Sequence, residues 1–310
     1  MATSTWTNAA LLTELEPVVA QNLDRHLSVA KEWMPHEFVP WADGTNFERL
    51  GGKQWSPGDS QVSDVAKTAL IVNLLTEDNL PSYHHEIASL FSRDGSWGTW
   101  VHRWTAEEGR HAMAIRDYLL TTRAVDPEEL ERARMTHMGN GYASSHPDEV
   151  LHNLAYVTFQ ELATRVSHRN TGRITGEPIC DQLMAKIAND ENLHMVFYRN
   201  LIKSALEIAP DQTLRAIVDV VQAFAMPGAD LPGFQRKSIE MAIAGVYDLR
   251  QHHDDVVMPV LRFWKVFEMT GLGPEGQKAQ EELVATMGGI DTQAARFEDK
   301  KAMLAERMKR

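Results

Sequence analysis

Along most of the chain, apolar residues recur at spacings of three and four, the pattern of amphipathic helices. The segments 11–27 (LLTELEPVVAQNLDRHL), 65–80 (VAKTALIVNLLTEDNL), 107–124 (EEGRHAMAIRDYLLTTRA), 150–170 (VLHNLAYVTFQELATRVSHRN), 181–209 (DQLMAKIANDENLHMVFYRNLIKSALEIA) and 213–224 (TLRAIVDVVQAF) all carry it. No convincing alternating stretch competes as a strand. Turn-rich breaks separate the segments: WADGTNFERLGGKQWSPGDS, FSRDGSWG, HMGNGYASSHPDE, NTGRITGEP and MPGADLPGF. None is long or biased enough to be a domain linker. The expectation is an all-α fold in one domain over 1–310, with long antiparallel helices bundled over about 10–225. Shorter elements and a charged tail, FEDKKAMLAERMKR, helical or frayed, are expected over 226–310.

Some polar positions break the apolar faces, and these carry the chemistry. Glu and His stand three apart in Glu108–His111, Glu149–His152 and Glu191–His194. Residues at that spacing differ by about 60° in direction on a helix, so both can reach one metal ion. Context separates the three pairs. Glu149 follows SSHPD and falls in the first turn of its helix, where the dipole favours a carboxylate for other reasons. Glu108 and Glu191 lie inside long helical patterns, each preceded by a second acid, Glu107 or Asp190.

Two further helices carry single acids in apolar surroundings, Glu77 in LIVNLLTEDNL and Glu161 in LAYVTFQELATRV. The order is therefore a Glu helix followed by a Glu-x-x-His helix, given twice. It matches the ligand pattern of dinuclear carboxylate sites in ferritin-like four-helix bundles. Four buried carboxylates repel one another and are costly to desolvate, whereas two divalent cations offset their charge. A donor set of oxygen and nitrogen without sulfur suits iron or manganese. Near the six groups, Pro81 either kinks the Glu77 helix or ends it. His84, two turns after Glu77, is a polar neighbour or a further ligand. Thr164 can offer its hydroxyl to an oxygen species bound at the metals or bond back to its own helix. Asp190 can orient a ligand imidazole through its second ring nitrogen.

Composition narrows the classes. With 31 Lys and Arg against 43 Asp and Glu, the net charge of −12 excludes a broad nucleic-acid surface. The single Cys180 rules out an intramolecular disulfide and multi-cysteine metal sites, and reads as a small buried hydrophobe. MATSTWTNAALLTELEPVV lacks a basic segment followed by an apolar core, and no run approaches the roughly 18 apolar residues of a membrane span. A cytoplasmic protein is expected.

In one order, LLTEDNLPSYH, RWTAEEGRHAMAIRDYL, FQELATRVSHRNTG, MAKIANDENLHMVFYRNL and TGLGPEGQKAQ resemble the soluble acyl-acyl-carrier-protein (acyl-ACP) desaturases of the stearoyl type, most closely their actinobacterial branch. The similarity runs from about ELEPVV to GQKAQEEL, most of the chain. It implies a homodimer with two irons held by Glu77, Glu108, His111, Glu161, Glu191 and His194. It also implies O2 and two electrons from a ferredoxin, and a cis double bond introduced into a saturated chain on acyl-carrier protein. By the same carry-over, Trp33, Asp190 and His111 resemble a route from the surface to the irons, and Thr164 a threonine beside the oxygen site. A buried Trp packing the bundle is the alternative for Trp33. Arg25 and Lys31, taken as first-helix cations, are candidates for docking the acidic carrier protein.

The chain departs from the family in EEGRHA, where the usual motif is EENRHG: Gly109 replaces an Asn and Ala112 a Gly. Leu162 also stands where plant members carry an Arg. These changes bear on chain length and double-bond position. Two other readings compete: a ribonucleotide reductase small subunit, with Tyr118 or Tyr198 near the cluster, and an iron-storage bundle, for which the chain is long.

Overall fold

The computed structural model describes residues 5–225 and 233–308, with side chains as far as Met303. The MPGADLPGF break thus lies mostly outside the described residues. Among these, regular structure is helical apart from one isolated bridge between Phe47 and Lys53.

Local sequence sets the helix ends. Thr7 opens α1 (Asn8–Val29) and Ser63 opens α2 (Asp64–Asp78), each side chain accepting from an otherwise orphaned N–H of the first turn. α3 (Leu80–Phe91) begins at once after α2, with Pro81 in its first turn, so Pro81 separates two helices and does not kink one. α4 (Gly95–Thr121), α5 (Pro127–Asn140), α6 (Val150–Thr175) and α7 (Pro178–Ile208) follow. Gly176 stops α6 in the left-handed region at φ 66°, and the Glu177 carboxylate then caps α7.

Helices α2, α4, α7 and α6 touch in a closed ring, each packed on the next, with α1 laid over α4 and α7. α6 and α7 come into tight contact near their shared turn. A Cβ on Gly172 would lie 2.9 Å from the Met184 Cβ, so that contact requires glycine. The apolar core is divided. On α4, Trp97, Trp100 and Trp104 join one cluster and Ala114, Ile115 and Leu119 another. On α7, Leu183 and Ile187 join the second cluster and Phe197 and Leu201 the first. On both helices the change of cluster falls at the Glu-x-x-His segment, which places those polar residues at mid-bundle between two apolar masses.

The C-terminal part differs from the expectation of short elements. After α8 (Pro210–Ala223), α9 (Phe234–Ile243), α10 (Leu249–Gln251), a π-helical turn (His252–Val257) and α11 (Met258–Trp264), the chain forms α12 (Pro274–Met308). At 35 residues α12 is the longest described helix. Its charges conceal a narrow stripe in which Ala279, Leu283, Met287 and Ala294 are buried, and α12 packs along α8. Apolar residues four apart are enough to seat it.

Candidate metal centre

Four helices bring the six groups together. α2 contributes Glu77, α4 Glu108 and His111, α6 Glu161, and α7 Glu191 and His194, all buried. Their donor atoms fall into two sets, Glu77, Glu108, His111 and Glu191 in one, and Glu108, Glu161, Glu191 and His194 in the other, each within 4.8 Å. Glu108 and Glu191 belong to both. Two adjacent cations could be held there, one by Glu77 and His111 and one by Glu161 and His194, with Glu108 and Glu191 within reach of both. The His111 Nδ1 lies 3.1 Å from Glu191 Oε1, and the His194 Nδ1 2.8 Å from Glu108 Oε1.

The fit to metal rests on what these atoms lack. Glu108 Oε1, Glu161 Oε2, Glu191 Oε1 and both Nδ1 atoms are buried and converge at 2.8–3.5 Å without the alignment of a hydrogen bond, a costly arrangement for charged oxygens unless a cation takes them. Burial, with the Glu191 and Glu108 charges, pushes the Glu161 carboxyl well above the usual range. Burial alone would lower His111 and His194. The surrounding carboxylates outweigh it and raise both imidazoles well above their ordinary value. Four carboxylates and two imidazoles suit a pair of iron ions in charge and donor type, and offer no thiolate.

The opposite ring nitrogens are held by a crossed arrangement. His111 Nε2, on α4, faces Asp190 Oδ2 of α7 at 3.3 Å. His194 Nε2, on α7, faces Glu107 Oε2 of α4 at 3.0 Å. The acid before each Glu-x-x-His unit therefore orients the histidine of the other unit, as metal-bound imidazoles require. Beyond Asp190, the Trp33 indole donates at 2.7 Å and Arg110 at 3.1 Å. Beyond Glu107 stands His26 at 2.9 Å, with Arg103 closing the other oxygen. Trp33 is both a buried packing residue and a neighbour of the centre, its ring nearly parallel to His111 at 6.3 Å.

Thr164 bonds back toward its own helix and also contacts a carboxylate of the centre. Its hydroxyl lies 3.0 Å and 3.1 Å from the carbonyls of Glu161 and Gln160, and 2.8 Å from Glu191 Oε2. His84 pairs with Thr105 and belongs to neither donor set. Arg25 and Lys31 are exposed and form no ion pair among the described residues. Lys31 lies beyond the end of α1 at Val29, not on that helix as expected, because the chain leaves the helix at Ala30. Glu149 is the residue before the first turn of α6, one step earlier than expected. Gly109 and Ala112 line neither cavity beside the centre, and Ala112 packs with the apolar cluster around Leu70 and Ile115. Cys180 is fully buried, and burial raises its thiol to about 12.

Sequence reasoning missed four residues. Glu107 repeats the position of Asp190, a signal that was available. His168 bonds Glu77 Oε1 at 2.7 Å and stands two turns after Glu161 on the same face. Trp104 donates to Glu161 Oε1 at 3.0 Å from one turn before Glu108. His26, on α1, has no local pattern that marks it. Of the rival tyrosines, Tyr118 bonds Glu177, whereas Tyr198 accepts from Trp100 and lies close enough to the centre that burial and the Glu161 and Glu108 charges raise its phenol well above the ordinary value.

Two cavities flank the centre and share Thr76. One, about 600 Å³ of atom-free space including its mouth, touches Glu77 and Glu108 and is walled by Leu80, Ile87, Trp104 and Val157, with Tyr83, Tyr142 and Tyr156 farther along. The other, about 560 Å³ on the same measure, lies beside Thr164 and His168 and is closed by Val72, Phe234, Met241 and Tyr247.

Residues 7–310 match the family model described as fatty acid desaturase. DesA1 of Mycobacterium tuberculosis, provisionally named an acyl-ACP desaturase, is 49% identical over 97% of this chain and 91% of its own length. The chloroplastic stearoyl-ACP 9-desaturase of Gossypium hirsutum is 30% identical over 95% of this chain and 75% of its own. The crystal structure of DesA2 from M. tuberculosis H37Rv, likewise provisionally named, superposes with a TM-score of 0.71 at 32% identity, covering 87% of this chain and 99% of that one. By sequence, by fold and by the ring of helices around its carboxylates, the chain belongs to the fatty acid desaturase family, among the acyl-ACP desaturases.

Proposed function

We propose that the chain is an O2-dependent diiron desaturase that introduces a cis double bond into a saturated acyl chain carried on acyl-carrier protein, with ferredoxin as electron donor. The observation that carries this reading is the pair of donor sets sharing Glu108 and Glu191, with an apolar cavity lying against Glu77 and Glu108. Two bound irons would supply the oxidising power that removing hydrogen from an unactivated methylene demands, which no side chain can provide. The balance is one CH2–CH2 unit, O2, two electrons and two protons, giving one CH=CH unit and two waters.

The chain's own work is positioning. Leu80, Ile87, Trp104 and Val157 exclude water and hold a methylene pair against the carboxylate face. Asp190 and Glu107 fix the imidazoles, and the Thr164 hydroxyl, 2.8 Å from Glu191, is placed to donate a proton on that side. Trp33, Asp190 and His111, linked at 2.7 and 3.3 Å, are the proposed route for electrons from a docked ferredoxin. Arg25 and Lys31, exposed and unpaired, are the proposed cations for carrier-protein docking, and a homodimer is the proposed assembly. No helix among the described residues is long and apolar enough to cross a membrane, consistent with a carrier-bound substrate.

The test is to supply iron-loaded protein with saturated acyl-carrier proteins of several chain lengths, O2, ferredoxin, its reductase and NADPH, and to analyse the fatty acids. A cis-unsaturated product is expected. No unsaturated product at any length, with two irons bound, would sink the reading.

A further inference from the structure

The Glu-x-x-His pair at the start of α6 is not used by the diiron centre, and its surroundings have a chemistry of their own. We infer that His146, Glu149 and His152 form a second, mononuclear cation site of the class that binds Zn2+, separate from the dinuclear centre. One donor atom from each residue lies within 4.8 Å of the others. The two imidazole rings stack at 4.1 Å and 18°, and both Nδ1 atoms face the same Glu149 oxygen, that of His146 at 3.4 Å.

The far side of His152 gives the second, independent observation. Its Nε2 lies 3.2 Å from the Asp219 carboxylate, which Arg215 holds in turn through Nε and Nη2 at 2.9 and 2.7 Å. An ionised carboxylate only accepts, so the Nε2 atom carries the proton. The Nδ1 atom of the same ring faces a second carboxylate, that of Glu149, so the imidazole stands between two acids with a side open to a shared cation. Asp219, the imidazole and its Nδ1 in line form the outer-shell geometry that metal-bound histidines use. Two imidazoles and one carboxylate also make a zinc donor set that leaves a coordination position to water.

The backbone is already built around this point. Asn153 donates to the carbonyls of His146 and Glu149 at 2.6 and 3.1 Å, and Ser144 accepts from the His146 N–H at 3.1 Å. Little ordering is left for the cation to impose. A helix start repels a cation, so the site depends on Glu149 and Asp219 to offset it. Asn153 also lines the cavity beside Glu77 and Glu108, and Tyr142 reaches that wall from the same turn, so occupancy would stiffen the cavity's far end.

The test is calorimetric titration of the iron-loaded full chain with ZnCl2, iron content being measured on the same samples. One Zn2+ per chain is expected beyond the two irons. His146→Asn and His152→Ala should each weaken it at least tenfold with iron unchanged, and Asp219→Asn by about tenfold or more. No saturable Zn2+ binding would overturn the site, as would equal affinity in the His146→Asn chain, where the substitution is mild and on the surface. An unchanged affinity in Asp219→Asn would remove the orienting role from which the site was inferred.

Discussion

Glu108–His111 and Glu191–His194 have the same spacing as Glu149–His152, and the two kinds of pair end in different surroundings. The first two sit in mid-helix, fully enclosed, with each histidine held by an acid from the opposite helix. The third sits at a helix start, with Glu149 about half exposed and its histidine held by a surface aspartate. Spacing alone therefore brings two donors to one point and says nothing about what closes the rest of the coordination sphere. At mid-bundle that closure comes from Glu77 and Glu161 on two further helices. At the start of α6 the nearest addition is His146 from the preceding turn.

Removing a shared ligand tests this difference most severely. Glu191→Ala takes a donor from both ions and should reduce bound iron from two per chain to less than one, whereas Glu149→Ala should leave it at two. Iron analysis of the purified variants decides, and equal losses would mean the wrong pairs were set apart. Next in size are the orienting acids. Glu107→Ala and Asp190→Ala should each lower iron affinity by roughly 10- to 100-fold in competition with a chelator. Asp219→Asn, its counterpart at the surface pair, should have no effect on iron.

Protons give a third contrast. In the metal-free centre His111 and His194 are raised well above their ordinary value, despite burial, by the carboxylates around them. They are therefore protonated near neutral pH, and they ligate only when neutral. Loading Fe2+ should release at least two protons per chain, because the Glu161 carboxyl is raised as well as the two imidazoles, and iron affinity should rise with pH. A weakly buffered indicator measures the release, and a pH-independent affinity would contradict the charge assignment. Stability should move the other way. Glu161→Gln relieves repulsion from Glu191 and Glu108, so the iron-free protein should melt a few degrees higher while losing iron. The smallest effect belongs to the exposed pair, where Glu149→Gln should change iron-free stability by less than about 1 kcal/mol by denaturant unfolding.

Much of this was legible from the sequence because helical chemistry is local. The three-and-four spacing marked the long helices, and the doubled order of Glu77, Glu108–His111, Glu161 and Glu191–His194 marked the six groups. The repeat also held the key to Glu107, since Asp190 precedes Glu191 just as Glu107 precedes Glu108. What escaped was set by packing between distant helices. His26 is 81 residues from the Glu107 it bonds, and His168 is 91 from Glu77. The length of α12, though not the helical tendency of its charged end, was hidden because a stripe of four buried residues is diluted by many charges. Pro81 was ambiguous for a similar reason, because a proline signals a break without saying whether a helix resumes.

The most direct measurement of the central claim is anomalous diffraction at the iron edge from crystals of the iron-loaded protein. Two peaks are expected between α2, α4, α6 and α7, one beside Glu77 and His111 and the other beside Glu161 and His194, with Glu108 and Glu191 reaching both. A single peak there, or iron confined to the start of α6, would contradict the account.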